Sequence, residues 1–184
     1  MGECNANVVH FLTIEAIGMG GSSVSSRKMA GRIDPDLDPF DLARFIDAQR
    51  DAYDIAIAEL RSGRKHSHWI WFVFPQLKGL GRSAMSHRYG LSGVAEASAY
   101  LAHPVLGVRL IDAIHAMLAN GAVPAAKILG ELDALKFGSF LTLFSVAAPA
   151  QPLFAAALAH YFEGQPDSET LALLGSGSRT ENQR

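Results

Sequence analysis

Cysteine is almost absent from this chain. Cys4 is the single cysteine among 184 residues, so no intrachain disulfide can form and no cysteine cluster offers a zinc site. That scarcity fits a reducing compartment, and the expected location is cytoplasmic. A basic surplus is missing as well: 16 Lys and Arg stand against 18 Asp and Glu. This excludes a general nucleic-acid binder, whose affinity comes from releasing phosphate counterions. Long apolar runs are lacking too. The stretch from Val8 to Met19 is too short to span a bilayer and is interrupted by His10 and Glu15, so no membrane association is expected. No segment shows sustained apolar–polar alternation with Asn-Gly or Asp-Gly turns, which leaves strands hard to find, and no fixed-period repeat occurs.

What is present is a globular composition, 49% apolar and 18% charged, in a chain long enough for one domain that folds without staples. Residues 1–36 lack the basic start of a signal peptide and end in Gly, Ser, Arg and Lys. They are expected to be a disordered leader, with Met29 as an alternative start. Residues 37–175 are expected to form the helical domain and 176–184 a disordered tail. Asp38-Pro39 and Asp41 mark a helix entrance. Leu42, Phe45, Ile46, Gln49, Tyr53, Ala56, Ile57 and Leu60 then recur at spacings of three and four, predicting one long helix stopped by Gly63.

Later breaks divide the chain into further helices. His103-Pro104, Asn120-Gly121, Pro124, Pro149, Pro152 and Asp167 separate five apolar segments. The run "WIWFVF" is assignable by periodicity to neither strand nor buried helix. Its helical neighbours favour a short central helix, with Ser67 able to cap it and Pro75 ending it. The fold class is therefore all-α, a single compact domain of about seven or eight helices, with Phe45, Tyr53, Trp69, Phe72, Leu110, Leu143 and Phe144 in the core.

Three constellations could carry chemistry. His66 and His68 form a His-x-His pair, which shares a metal on a strand but points apart on a helix. No third ligand completes it, so no metal is expected, and His68 reads as a hydrogen-bonding residue at a helix start. "LKGLGRSAMSHRY" is the second. Gly79 and Gly81 permit a tight turn exposing amides, Ser83 caps the short helix that follows, and Lys78, Arg82 and Arg88 bring positive charge, which together describe an anion cradle. It lacks the Lys-Ser/Thr ending of a phosphate loop. The third set is Gln49, Tyr53, Gln76, Tyr89, Lys136, Ser139 and Thr142, in which the last three draw a polar ridge along a mostly apolar helix. Such a set is either a ligand site or a buried hydrogen-bond network that fixes helix packing. No Gly-x-Ser-x-Gly elbow is present, and Asp112, Glu131 and Asp133 serve acid–base work only if folded together.

Four blocks carry a family resemblance: "F-x-x-AQ-x-x-x-Y" at Phe45 to Tyr53, "G-x-K-x-SHWIWFVFPQLKGLGRS-x-x-S-x-x-Y" at Gly63 to Tyr89, "EA-x-x-YL-x-HPVLG-x-RL" at Glu96 to Leu110, and "D-x-x-K-x-x-S-x-x-TLF" at Asp133 to Phe144. From about Phe40 to Gly175 the chain resembles the domain of unknown function 1810 family. The resemblance implies a single, mostly helical domain and no established activity. It marks Gln49, Tyr53, Ser67, His68, Trp69, Trp71, Pro75, Gln76, Gly79, Gly81, Ser83, Tyr89, His103, Pro104, Lys136, Ser139 and Thr142. Where the family often has Ser-Ser before Thr-Leu-Phe, this chain has Ser139-Phe140. Some members are labelled calpastatin, but calpain-inhibitory repeats resemble disordered charged segments, unlike this apolar chain.

The functional expectation is a site for a small anionic, nucleotide-like metabolite, held at the Lys78 to Ser83 turn with Trp69 or Trp71 as a stacking face. The alternative is a helical protein–protein interaction module without catalytic activity. No cofactor is expected, and a monomer is favoured.

Overall fold

The computed structural model describes residues 38–181, with side chains to Ser176. The expected leader, Cys4 and Met29 lie outside the described residues. Ten α-helices follow one another: α1 (Ala43–Gln49), α2 (Tyr53–Arg61), α3 (Ile70–Val73), α4 (Ala84–Tyr89), α5 (Val94–Ala102), α6 (Leu106–Leu118), α7 (Ala125–Leu129), α8 (Glu131–Ala147), α9 (Pro152–Phe162) and α10 (Ser168–Glu181). The fold is all-α, and "WIWFVF" contributes the short helix α3. The nearest approach to a sheet among the described residues is one isolated parallel bridge, Leu77 to Leu91. No single helix among them is long and apolar enough to cross a membrane.

Two local expectations need correction. Asp38 does cap the entrance, its carboxylate accepting from the amides of Leu42 at 2.7 Å and Ala43 at 2.9 Å. Asp41, however, sits at φ 51° in the left-handed region rather than in a first helical turn, and α1 starts only at Ala43. The single long helix is also broken. At Arg50 the amide bonds to Asp47 O, three residues back, and residues 50–52 separate α1 from α2. The break lets the two pieces follow different partners, α1 packing on α3 and α2 on α6.

Helix α8 is the centre of the fold, packing against α5, α7, α9 and α10. Its Phe137, Phe140 and Phe144 are fully buried. Phe140 meets Phe74 at 5.0 Å and Phe144 at 4.9 Å between ring centroids, and Phe144 meets Phe154 at 5.3 Å. Such tilted aromatic pairs add stability beyond their buried area. Six of the seven expected core residues are buried, but Tyr53 is only partly so, because its hydroxyl reaches outward to Asp112.

The corner between α5 and α6 turns the chain by 91°. His103 makes it possible: its Nδ1 accepts from the amides of Val105 and Leu106, pairing donors the first turn of α6 leaves free. Gly107 is required there, since a Cβ would lie 1.9 Å from Leu101 O.

Candidate functional site

The segment "HSHW" folds around a carboxylate of the protein itself. Glu59, near the end of α2, accepts from His66 N at 2.9 Å, Ser67 N at 3.1 Å, Ser67 Oγ at 2.7 Å and Trp69 Nε1 at 2.8 Å. Burial acts to raise the Glu59 pKa, but these hydrogen bonds outweigh it and hold the carboxyl at about 2. Ser67 is therefore not a helix cap; its donors are taken by Glu59, and Trp69 occupies the N-cap position of α3. His68 is not a hydrogen-bonding helix-start residue either. It is exposed and makes no hydrogen bond among the described residues, and it lines a cleft of about 230 Å³ together with Asp47, Asp51 and Trp69. No group of three or more His, Cys, Asp or Glu among the described residues is placed to hold a metal.

The polar ridge of α8 divides into parts. Ser139 Oγ donates to Leu135 O at 3.2 Å and Thr142 Oγ1 to Gly138 O at 2.9 Å, each satisfying itself on the preceding turn. Thr142 also accepts from Asp167 N at 2.8 Å, fixing the start of α10. Lys136 turns the other way. Its ammonium donates to Asp133 at 2.5 Å and lies 4.6 Å from the centre of the Trp71 ring. Ser139 and Lys136 therefore have separate partners.

Asp133 accepts a second ammonium, from Lys65 at 2.7 Å, and Lys65 in turn lies 5.2 Å from the centre of the Trp69 ring. Burial would raise the Asp133 pKa, yet the hydrogen bonds from Lys136 and Lys65 keep it below the ordinary value. The two lysines and one carboxylate leave a surplus positive charge beside two tryptophans, with only 8% of the Lys65 side chain and 26% of the Lys136 side chain exposed. Trp71 is partly buried, and its indole N–H, closed off from solvent, has no hydrogen-bond partner.

Gln49 and Tyr53 belong to a separate network. Gln49 Nε2 donates to Phe72 O at 2.7 Å and to Tyr100 Oη at 2.9 Å, while its Oε1 accepts from Arg109 at 3.3 Å. Tyr53 donates toward Arg109 O and Asp112, both at 3.1 Å, under the Arg109 guanidinium. Burial first, then the Asp112 charge, pushes its phenol well above the ordinary value. This network ties α1, α2, α3, α5 and α6 together. Asp112 and Asp133 thus serve different clusters, while Glu131 is exposed. Tyr89 is buried in an aromatic group with Phe45 and Phe72.

At the glycine turn, Ser83 caps α4 by accepting from Ser86 N at 3.1 Å. The Lys78 amide is engaged by Leu91 O at 2.8 Å. Gly79 has φ 103°, a conformation suited to glycine. The side chains of Lys78 and Arg82 are exposed. Gln76, by contrast, is buried, and its Oε1 is unpaired. The contributors missing from the sequence reading are Glu59, Lys65, Tyr100 and Arg109. Lys65, Tyr100 and Arg109 stand at fixed positions of the quoted family blocks, and nothing pointed to Glu59.

One solved structure is similar along most of its length: the conserved hypothetical protein Rv1873 from Mycobacterium tuberculosis, with 47% sequence identity and a TM-score of 0.73 over 75% of this chain and 99% of that one. No curated protein matches the chain. Residues 39–174 match the family model described as "Protein of unknown function (DUF1810)", and with the helical fold and the WIWFVFPQLKGLGRS block in place, the chain belongs to that family.

Proposed function

We propose that the protein binds a small anionic ligand with a planar group at the cluster formed by Lys65, Asp133, Lys136 and Trp71. The observation that supports this reading is the pairing of two ammonium groups with one carboxylate beside an indole whose N–H lacks a partner. Buried donors are nearly always paired, and a surplus charge held partly out of water is costly unless neutralised. An anion relieves both, accepting from Lys136 and from the Trp71 N–H, and a planar group stacks on the indole face once the Lys136 side chain leaves it.

The test is a thermal-shift titration of the wild-type protein with inorganic phosphate, pyrophosphate and AMP, repeated on Lys136→Met. Expected is a melting temperature that rises with ligand concentration in the wild type and is unchanged in Lys136→Met. If no anion shifts the wild type, or the shift survives in Lys136→Met, the reading fails.

A second reading, the interaction module, is favoured by one observation. Leu132 and Leu135, one helical turn apart on α8, are 75% and 68% exposed. Sedimentation of wild type and a Leu132→Glu/Leu135→Glu variant tests it: self-association lost in the variant supports the module, and a monomer in both removes self-association as its basis.

A further inference from the structure

The break between α1 and α2 coincides with the cleft of about 230 Å³. The last turn of α1 supplies Asp47 and Ala48 to its lining, the broken stretch supplies Asp51 and Ala52, and Ile55 follows on α2. The remaining lining is the HSHW turn, with His68 exposed. Glu59 ties that turn to α2 by accepting from Ser67 and Trp69, so the two sources of the lining are joined by a carboxylate of the fold itself.

No Lys or Arg lines the cleft, and residues 47–59 hold four acidic side chains against one basic. The side chains of Asp51 and His68 have no hydrogen-bond or ion-pair partner among the described residues. Asp47 pairs with Arg50, but the two side chains are 64% and 67% exposed, and such a pair contributes about 0 to 1 kcal/mol. A competing cation therefore displaces it readily. The carboxylates alone would suit any cation; the apolar lining narrows the choice. A bare ion gains nothing from Ala48, Ala52 and Ile55, and no group of three His, Cys, Asp or Glu among the described residues is placed to hold a metal. A long side chain with a cationic head and an apolar stem uses both parts of the lining.

We propose that this cleft is the docking site for an arginine side chain presented by a partner polypeptide. Its size fits one side chain, lying below the roughly 300 Å³ at which small-molecule pockets begin. Arginine suits it best, because a planar guanidinium donates from several N–H groups at once, to the carboxylates of Asp47 and Asp51 and to the His68 ring. The polypeptide is indicated by Ile55, which is 52% exposed although it lines the cleft and so offers apolar contact to residues flanking the arginine. The proposal is independent of the anion site, since neither Lys65 nor Lys136 lines this cleft.

A nuclear magnetic resonance titration of the full chain, isotopically labelled, tests this with three probes. They are the peptide acetyl-Leu-Ala-Arg-Ala-Leu-amide, the same peptide with uncharged citrulline in place of arginine, and acetyl-arginine amide. The arginine peptide is expected to shift the backbone amides of residues 47–55 and 66–69 saturably, and to bind about ten-fold more tightly than the citrulline peptide. Asp51→Asn, at an exposed side chain without a partner, is expected to close that gap. Acetyl-arginine amide is expected to bind about three-fold more weakly than the arginine peptide, a difference lost in Ile55→Ser. Absence of saturable shifts in these residues, or equal binding of the arginine and citrulline peptides by the wild type, overturns the proposal without any variant having to fold. Acetyl-arginine amide binding as tightly as the peptide overturns the polypeptide occupant.

Discussion

Trp69 donates its indole N–H to Glu59 Oε2 at 2.8 Å, whereas Trp71, two positions on, has no partner for the same group. One tryptophan is therefore fixed by the fold, and the other is left with spare hydrogen-bonding capacity. Substituting phenylalanine at each position separates these roles. Trp69→Phe removes a donor from a carboxylate that depends on it and is expected to cost about 1 to 3 kcal/mol. Trp71→Phe removes an unpaired buried donor and is expected to be close to neutral. Urea denaturation of both variants measures the difference, and equal losses would mean that the Trp71 N–H is paired in solution.

Glu59 also links stability to pH. Its carboxyl is held at about 2 against an ordinary 4.5, so the folded state binds this proton less readily than the unfolded chain. The stabilisation is fully present above about pH 4.5 and is lost as the pH falls through that value toward 2. Glu59→Gln should destabilise the protein at neutral pH by about 1 to 3 kcal/mol. The gap between variant and wild type should narrow on acidification through this window. A gap independent of pH would show that the ionised form is not what organises the His66–Trp69 turn.

The Arg44–Glu96 pair is a second internal charge contact, with 13% and 5% of the side chains exposed. Arg44 also donates to the carbonyls of Phe40, Asp41 and Arg88, and Glu96 accepts from Ser92 N and Oγ. Removing one partner strands the other charge. Glu96→Ala is expected to cost about 3 to 5 kcal/mol, read as a fall in the denaturation midpoint at pH 7. A loss below about 1 kcal/mol would class the pair with exposed surface bridges.

Much of the helical plan was legible because proline, glycine and capping residues act locally. Pro152 opens α9, Asp167 pairs with the Thr170 amide at the start of α10, and Ser83 caps α4. The break at residues 50–52 was not legible, since the apolar stripe runs through it with helical spacing and its cause is the different packing of α1 and α2. Ser67 looked like a cap because serine favours that position, and only the fold brings Glu59 close enough to take its donors. Lys65 and Asp133 are likewise joined by tertiary structure alone. Charged side chains follow no periodicity that would announce a partner so distant in sequence, while the aromatic block around Trp71 and Gln76 marked its own neighbourhood.

The glycine turn gives the last prediction. Lys78 and Arg82 are exposed, and the Lys78 amide is already engaged by Leu91, so under the proposal that an anion sits at the Trp71–Lys136 cluster their contribution is long-range charge. A Lys78→Ala/Arg82→Ala double variant should remain within roughly 0.5 kcal/mol of wild-type stability per substitution. Its AMP affinity should fall at low ionic strength and approach that of the wild type at high salt, where a Debye length of about 3 Å at 1 M screens exposed charges. Lys136→Met, acting at the partly buried contact, should lose affinity at every salt concentration. Calorimetric titrations of both variants across a salt series test this distinction. A salt-independent loss in the double variant would place the anion directly on the Lys78–Arg82 turn.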